Sequence, residues 1–363
     1  MAGVEDDGGS TEGADTLSQA PTEIVQDIFA WLDPREAARH RRLSARFGEC
    51  LSNLHFAQLC LSRHLAPSPN PADPNGKSAQ GVDGLHALFF TLPSNFQHAY
   101  ALVRLSHTST LALSRSNLLG SIPPAIANLS NSLVSLSLDH NNLSGSIPKE
   151  LASLALIDSI NLSNNALSGP IPSDTLGALT RLKFLYLDSN RLSGQLPADL
   201  GACRLLKKVH LDHNMFDGAL PPEWGALAVL DSLGLSHNQL GGPIPDSWGS
   251  MKGLKILKLS HNEIAGALPT SFSDLTRLHG LFLNNNRLSG EIPPALVSLT
   301  QIYQLNLASN SLSGSVPVGL KDFTRINLLH LGENPAMERV VDAALRENDA
   351  VWHFLMEQGF RSQ

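Results

Sequence analysis

The chain has 363 residues, 42% of them hydrophobic and 16% charged, with a formal net charge of −7. That length and apolar content allow more than one domain with a sizeable core, and the mild negative balance argues against a general polyanion binder. Only three cysteines occur, Cys50, Cys60 and Cys203; an odd, scattered set argues against a disulfide framework and points to a reducing compartment.

Residues 1–20 are small and acidic, with Glu5, Asp6, Asp7, Glu12 and Asp15 and neither a basic start nor an apolar run. This text reads as a disordered acidic tail rather than a secretory leader, so the expected location is cytoplasmic or nuclear. Nowhere does an apolar run reach the length needed to cross a bilayer, and no membrane contact is expected.

Residues 21–65 form the next element. Ile24, Ile28 and Leu32 recur at helical spacing, Val25 and Phe29 widen the apolar face, and Thr22 is placed to cap the first turn. Asp33-Pro34 ends that helix and starts a second, which turns Ala37, Ala38 and Leu43 inward; a third is predicted near Phe47 to Leu61. Pro21, Glu23, Ile24, Ile28, Leu32, Asp33, Pro34, Leu43, Ser44, Arg46 and Phe47 together resemble the F-box. The resemblance departs from the family at Ala20, where leucine is usual, and at Phe47, where tryptophan is common. It implies that Pro21, Ile24, Ile28, Leu32 and Pro34 face a Skp adaptor of a Skp–cullin ubiquitin ligase. The alternative is a helical cap with no adaptor. Arg35, Arg39, Arg41, Arg42 and Arg46 make a basic surface without interleaved aromatics, which suits a solvated face or an acidic partner better than nucleic acid.

Residues 66–84 are dense in Pro, Gly, Asn and Ser and read as a linker. Residues 85–110 begin with mostly apolar, helix-compatible text broken at Pro93-Ser94 and are predicted to cover the first turn of a repeat array.

That array, residues 111–334, is one motif written ten times. In one copy it runs Leu133, Leu136, Leu138, Asn141, Leu143, Gly145, Ile147, Pro148. The Asn recurs at Asn141, Asn165, Asn190, Asn214, Asn238, Asn262, Asn286, Asn310 and Asn334, at intervals of 24 or 25 residues; the first copy carries Ser116 in its place. A fixed period in this range marks a solenoid. The two leucines before the Asn sit at period two and point inward from a short strand. The Asn side chain, with donors and an acceptor, is expected to satisfy backbone groups where the chain bends away. Gly then permits a tight bend, and Pro fixes φ on the return.

This LxGxIP text resembles the plant-specific class of leucine-rich repeat. The fold it implies is an α/β solenoid, a leucine-rich-repeat right-handed superhelix of about ten repeats. A concave parallel sheet would face one way, short second strands and 3₁₀ turns the other, with a small all-α N-terminal head and a helical C-terminal cap. Asn334-Pro335 is expected to truncate the tenth copy, and residues 335–363 to supply one or two capping helices through Val340, Leu345, Val351, Phe354 and Leu355.

The sequence contains no phosphate-binding glycine loop, zinc-protease helix, nucleophile elbow or CxxC pair. No enzyme activity and no cofactor are expected. The outward positions of the strands are the candidate binding surface, a concave face for a protein target. They are Phe184, Tyr186 and Asp188; then Lys208, His210, Asp212 and His213; then Ser236 and His237; then Ile256, Lys258 and His261; then Phe282 and Asn284. Aromatic anchors among charges are what protein hot spots use. His213, His237 and His261 form a column at about 5 Å spacing, read as ordinary repeat text rather than a metal site because converging ligands are lacking. Two functions remain. One is a substrate-recruiting subunit of a ubiquitin ligase; the other is an intracellular scaffold or regulator without a ligase link. An extracellular recognition receptor is less favoured.

Overall fold

The computed structural model describes residues 88–91, 97, 98 and 100–362. The acidic tail, the linker and the F-box-like stretch with Pro21, Ile24, Ile28, Leu32 and Pro34 lie outside the described residues, as do Cys50 and Cys60. The chain divides into two units between Thr108 and Ser109. In the first, an α-helix at Leu88–Thr91 and a π-helical turn at Ala101–Leu105 are formed. Phe89 meets Phe90 edge-on at 5.4 Å and stacks on Tyr100 at 6.4 Å.

From Ser109 onward the chain is a solenoid. Each repeat contributes a three-residue strand whose middle residue is buried and whose flanking residues face out, as in Phe184–Tyr186 and Lys208–His210. Ten such strands, from Thr110–Ala112 to Leu328–His330, pair in chain order into one parallel sheet. Register is strict, so outward residues fall into columns: Phe184 beside Lys208, Ser232, Ile256 and Gly280, and Tyr186 beside His210, Gly234, Lys258 and Phe282. A second ten-stranded parallel sheet runs from Leu119–Gly120 to Ala336–Met337. Between them, Pro sets up each 3₁₀ turn; Pro148 (φ −73°) precedes Lys149–Ser153 and Pro245 (φ −65°) precedes Asp246–Ser250.

The core is columnar. One column holds Leu200, Trp224, Trp248, Phe272 and Leu296, all essentially buried. Trp224 and Trp248 lie parallel at 6.3 Å, and their indole N–H groups donate to Pro197 O and Pro221 O. Gly249 is required here, because a Cβ would lie 2.5 Å from the Ser271 carbonyl. Cys203 occupies a leucine position in a neighbouring column and donates to Leu176 O and Leu179 O at 3.1 and 3.3 Å. Burial, with Asp199 nearby, pushes its thiol up to about 11, so it stays protonated as a small core residue.

The asparagines do more than satisfy their own bend. Asn310 is typical: its Oδ1 accepts from Leu288 N at 3.0 Å in the preceding repeat. Its Nδ2 donates to Leu283 O in that repeat (3.0 Å) and to Leu307 O in its own (3.1 Å). The same three bonds recur from Asn141 to Asn334, so each Asn ties its repeat to the one before. Asn141 makes one bond more than the others, its Oδ1 accepting from both Ser116 N and Leu118 N of the first copy at 2.9 Å.

One expectation at the C-terminus needs correction. The tenth repeat is not truncated at Pro335. Its second strand, Ala336–Met337, pairs with Ser313 and Gly314, because buried Met337 stands in for the usual leucine. The cap carries the expected helical elements, a 3₁₀ turn at Ala343–Glu347 and a helix at Asp349–Glu357, flanked by a parallel pair, Val340–Val341 with Arg361–Ser362. Gln358 closes the last edge of the first sheet. Its Oε1 accepts from Leu331 N and Gly332 N at 2.7 and 2.9 Å, and its Nε2 donates to Leu329 O at 2.6 Å. A sheet edge covered in this way offers no template for another strand.

Candidate functional site

The outward columns of the first sheet change character along the array. In the early repeats small polar groups satisfy one another. Asp139 takes the hydroxyls of Ser114 and Ser137, each at 2.6 Å. Partial burial opposes its charge, but those hydroxyl donors outweigh it and hold the carboxyl below its ordinary value.

Repeats four to eight present larger and less satisfied groups. Phe184, Tyr186, Ile256 and Phe282 are half-buried on the sheet, and Lys208 and Lys258 are exposed. Neither lysine has an ion-pair partner among the described residues. The lysines just behind them differ: Lys183 pairs with Asp158 and Lys255 with Asp231, both at 3.2 Å. The structure therefore brings Asp188, His210, Asp212, His213, His237, Lys258, His261, Phe282 and Asn284 around one depression of about 580 Å³. Phe184, Tyr186, Lys208 and Ile256 are not among its lining residues; they stand on the same sheet beside it.

Two glycines shape this floor, and the repeat register alone did not single out either. At Gly234 a Cβ would collide with the Asp212 carboxylate, whose Oδ1 accepts from Ser236 N at 2.9 Å. At Gly280 a Cβ would lie 2.9 Å from the Phe282 ring. Glycine at an outward strand position, where a side chain is otherwise free to project, was the available signal.

Electrostatics follow from this crowding. Burial pushes Asp188 above its ordinary value, Asp212 adding to the effect while His210 and His213 oppose it. Burial likewise raises the Tyr186 phenol, with Asp188 contributing. His210 is held below its ordinary value by burial, against the pull of Asp212 and Asp188. Tyr186 meets its ring edge-on at 5.3 Å, and its Nε2 lies 3.0 Å from Ser232 Oγ. Among the described residues no carboxylate bonds to the other ring nitrogen, so Ser232 and His210 orient each other and do not form a catalytic triad.

His213, His237 and His261 stack face to face, with centroids 4.2 Å apart and interplanar angles of 11° and 12°. This is tighter than strand spacing alone implied. His237, in the middle, is held below its ordinary value by burial and then by its two neighbours. The unfolded chain takes up that proton near pH 6.5 and the folded chain only at lower pH, so this residue's contribution to stability is lost on acidification below that value. Among the described residues no group of three His, Cys, Asp or Glu side chains is disposed to hold a metal ion.

A second depression, about 610 Å³, lies over the 3₁₀ turns and is lined by Ala198, Gly201, Arg204, Gly225 and Ala226 among others. Two of its charged groups are engaged internally: Arg204 donates to Ala226 O at 2.9 Å, and Asp199 accepts from Gly177 N at 2.8 Å. The first sheet is the better candidate for binding. Among the described residues, no helix is long and apolar enough to cross a membrane.

Comparison with known proteins agrees with the fold. Family models described as leucine-rich repeat match residues 228–288, 132–154 and 181–203. The ectodomain of the Arabidopsis receptor kinase HAESA, solved in complex with a peptide hormone ligand, is similar at 31% identity and TM-score 0.64, over 71% of this chain and 42% of that one. A plant peptide hormone receptor is similar at 28% identity and TM-score 0.54, over 66% of this chain and 46% of that one. A plant ice-binding protein is similar at 31% identity and TM-score 0.51, over 59% of this chain and 68% of that one. This chain thus spans less than half the length of both receptor structures. No curated protein matches the sequence.

Proposed function

The chain is a leucine-rich-repeat protein, and on that premise we propose that it is a non-enzymatic protein-binding module that grips its partner over repeats four to eight of the first sheet. The observation that carries this reading is the depression beside half-buried aromatics and beside Lys208 and Lys258, which have no ion-pair partner among the described residues. Buried aromatic anchors supply most of the affinity at such surfaces, while rim charges steer the encounter. The binding residues are Phe184, Tyr186, Lys208, His210, Ile256, Lys258 and Phe282, with Asp188, Asp212, Asn284 and the three stacked histidines around them. The triple replacement of Phe184, Tyr186 and Phe282 by Ala is expected to abolish partner recovery from cell extracts. Its far-ultraviolet circular dichroism should match wild type, since these groups stand on the outward face of the strands and the inward leucines that hold the array are untouched. Recovery equal to wild type contradicts the assignment.

The finer reading is that the chain recruits substrates to a Skp–cullin ubiquitin ligase from the cytoplasm or nucleus, with residues 21–65 holding the adaptor. It is supported by the F-box-like text from Pro21 to Phe47. An adaptor pull-down should succeed with wild type and fail with Ile28→Glu or Leu32→Glu; no capture by wild type removes the ligase link and leaves an adaptor-free scaffold. A second reading, a peptide-binding ectodomain, draws on the likeness to HAESA, which is in complex with a peptide hormone ligand.

A further inference from the structure

Three rings stacked in parallel cannot aim their in-plane lone pairs at one centre, so the histidine column is ill suited to a tetrahedral metal. Its geometry serves something else. His213, His237 and His261 share a left-handed backbone (φ 55°, 56° and 56°), which repeats one side-chain direction down the array. The rings are exposed and form one wall of the depression whose other groups include Lys258 and His210. Charged and titratable groups surround them on every side. Asp188 faces His213 from the preceding repeat, Asp212 stands beside His213 and faces His237, His210 and Lys208 lie on the strand before His213, and Lys258 lies on the strand before His261. Asp212 is engaged by Ser236 N, and Glu263, two residues beyond His261, is engaged by Arg287 at 3.1 Å. His261 itself sits 3.4 Å from the amide nitrogen of Asn285.

As neutral rings the column is a cohesive aromatic edge. Protonated, it is a row of like charges 4.2 Å apart, which an incoming row of carboxylates relieves. Resting on the assignment of this sheet face as the binding surface, we infer that the stack is a proton-operated contact for a carboxylate-rich peptide segment laid across repeats five to seven. Charge complementarity sets the occupant: acidification adds imidazolium donors beside Lys258 and Lys208, which are unpaired among the described residues. Asp188 and Asp212 in the same wall repel a continuous phosphate backbone, whereas a peptide can offer them backbone N–H groups. Proton uptake and peptide binding are then reciprocally linked, each strengthening the other. Burial and its two neighbours hold the middle ring below its ordinary value, and a carboxylate partner offsets the repulsion from those neighbours.

The test uses the full chain, fluorescence anisotropy and a labelled hexaglutamate peptide, with hexaglutamine and a single-stranded oligonucleotide as comparison probes. Measurements at about pH 7.5 and about pH 5.5 bracket the ordinary histidine value, and ionic strength is held at about 0.1 M. Hexaglutamate should tighten at least about tenfold on acidification and hexaglutamine should not, a shift of the size that coupled sites give. In the triple variant His213→Asn, His237→Asn, His261→Asn, the change should fall below about twofold, since ordinary rim charges alone contribute little. Asn already occupies this backbone position at Asn164 and Asn285 with φ 55° and 57°, so the variant keeps the turn geometry. An unchanged dissociation constant in wild type, a tenfold change retained in the triple variant, or tighter and equally acid-dependent oligonucleotide binding overturns the proposal. Imidazole resonances of wild type followed by NMR give a second readout. All three should move on adding hexaglutamate at the lower pH, and stationary signals also overturn it. The aromatic triple variant reads the sheet-face assignment separately, so failure of one is not failure of the other.

Discussion

Replacing Trp248 with Ala is expected to lower stability by about 3–5 kcal/mol, the range for deleting a buried large aromatic. The side chain is fully buried, lies parallel to Trp224 at 6.3 Å and donates to Pro221 O at 2.9 Å. Removal therefore opens a void and leaves a buried carbonyl without its donor. In a quasi-one-dimensional array the damage falls chiefly on one interface, between repeats five and six, and splits the solenoid there. Trp248→Phe should cost roughly 1–2 kcal/mol, because Phe272 shows that a phenyl fits the same column and only one hydrogen bond and a small volume are lost. Urea unfolding followed by circular dichroism measures both. A loss below about 1 kcal/mol for Trp248→Ala would mean that the column does not hold the array together.

Asn310→Ala is expected to cost about 3 kcal/mol, since Leu288 N and the Leu283 and Leu307 carbonyls all lose partners in a buried setting and each orphan costs roughly 1–3 kcal/mol before relaxation. Asn310→Asp separates donor from acceptor. The introduced carboxylate still accepts from Leu288 N but offers nothing to the two carbonyls, whose oxygens face its charge. Its folded-state pKa is therefore raised above the unfolded value. The variant should be less destabilised below the unfolded carboxyl value, near pH 3.9, and progressively worse as pH rises through the folded one. Equal destabilisation at both ends of that window would show that the donor half of the ladder is unimportant.

The repeat register, inward leucines and first sheet were legible because each is a local consequence of period two within period 24. The Asn ladder was legible only in part. That Asn310 has polar work to do follows from its place at a bend, but its partners Leu283 and Leu288 lie 27 and 22 residues earlier and leave no mark on local spacing. The second sheet was expected only through resemblance, because its strand Asn142–Gly145 carries a single inward leucine and no alternation. Met337 hid the tenth second strand by replacing that leucine, and Gln358 hid the closure of the sheet edge because a lone glutamine in a helix tail has no pattern. At the candidate site the outward residues followed from register. The depression did not, since it depends on Asp212 folding over Gly234 and on rings closing to 4.2 Å.

That the first sheet, and not the 3₁₀ side, is where a partner sits is tested most directly by photo-crosslinking. A photoreactive side chain is placed singly at positions 208 and 258 on the sheet, and at positions 223 and 250 on the turns. All four sites are exposed, so each probe is equally free to react. The account predicts the same partner adduct from positions 208 and 258 and none from 223 or 250. Adducts confined to 223 and 250, or equally strong at all four, would contradict it.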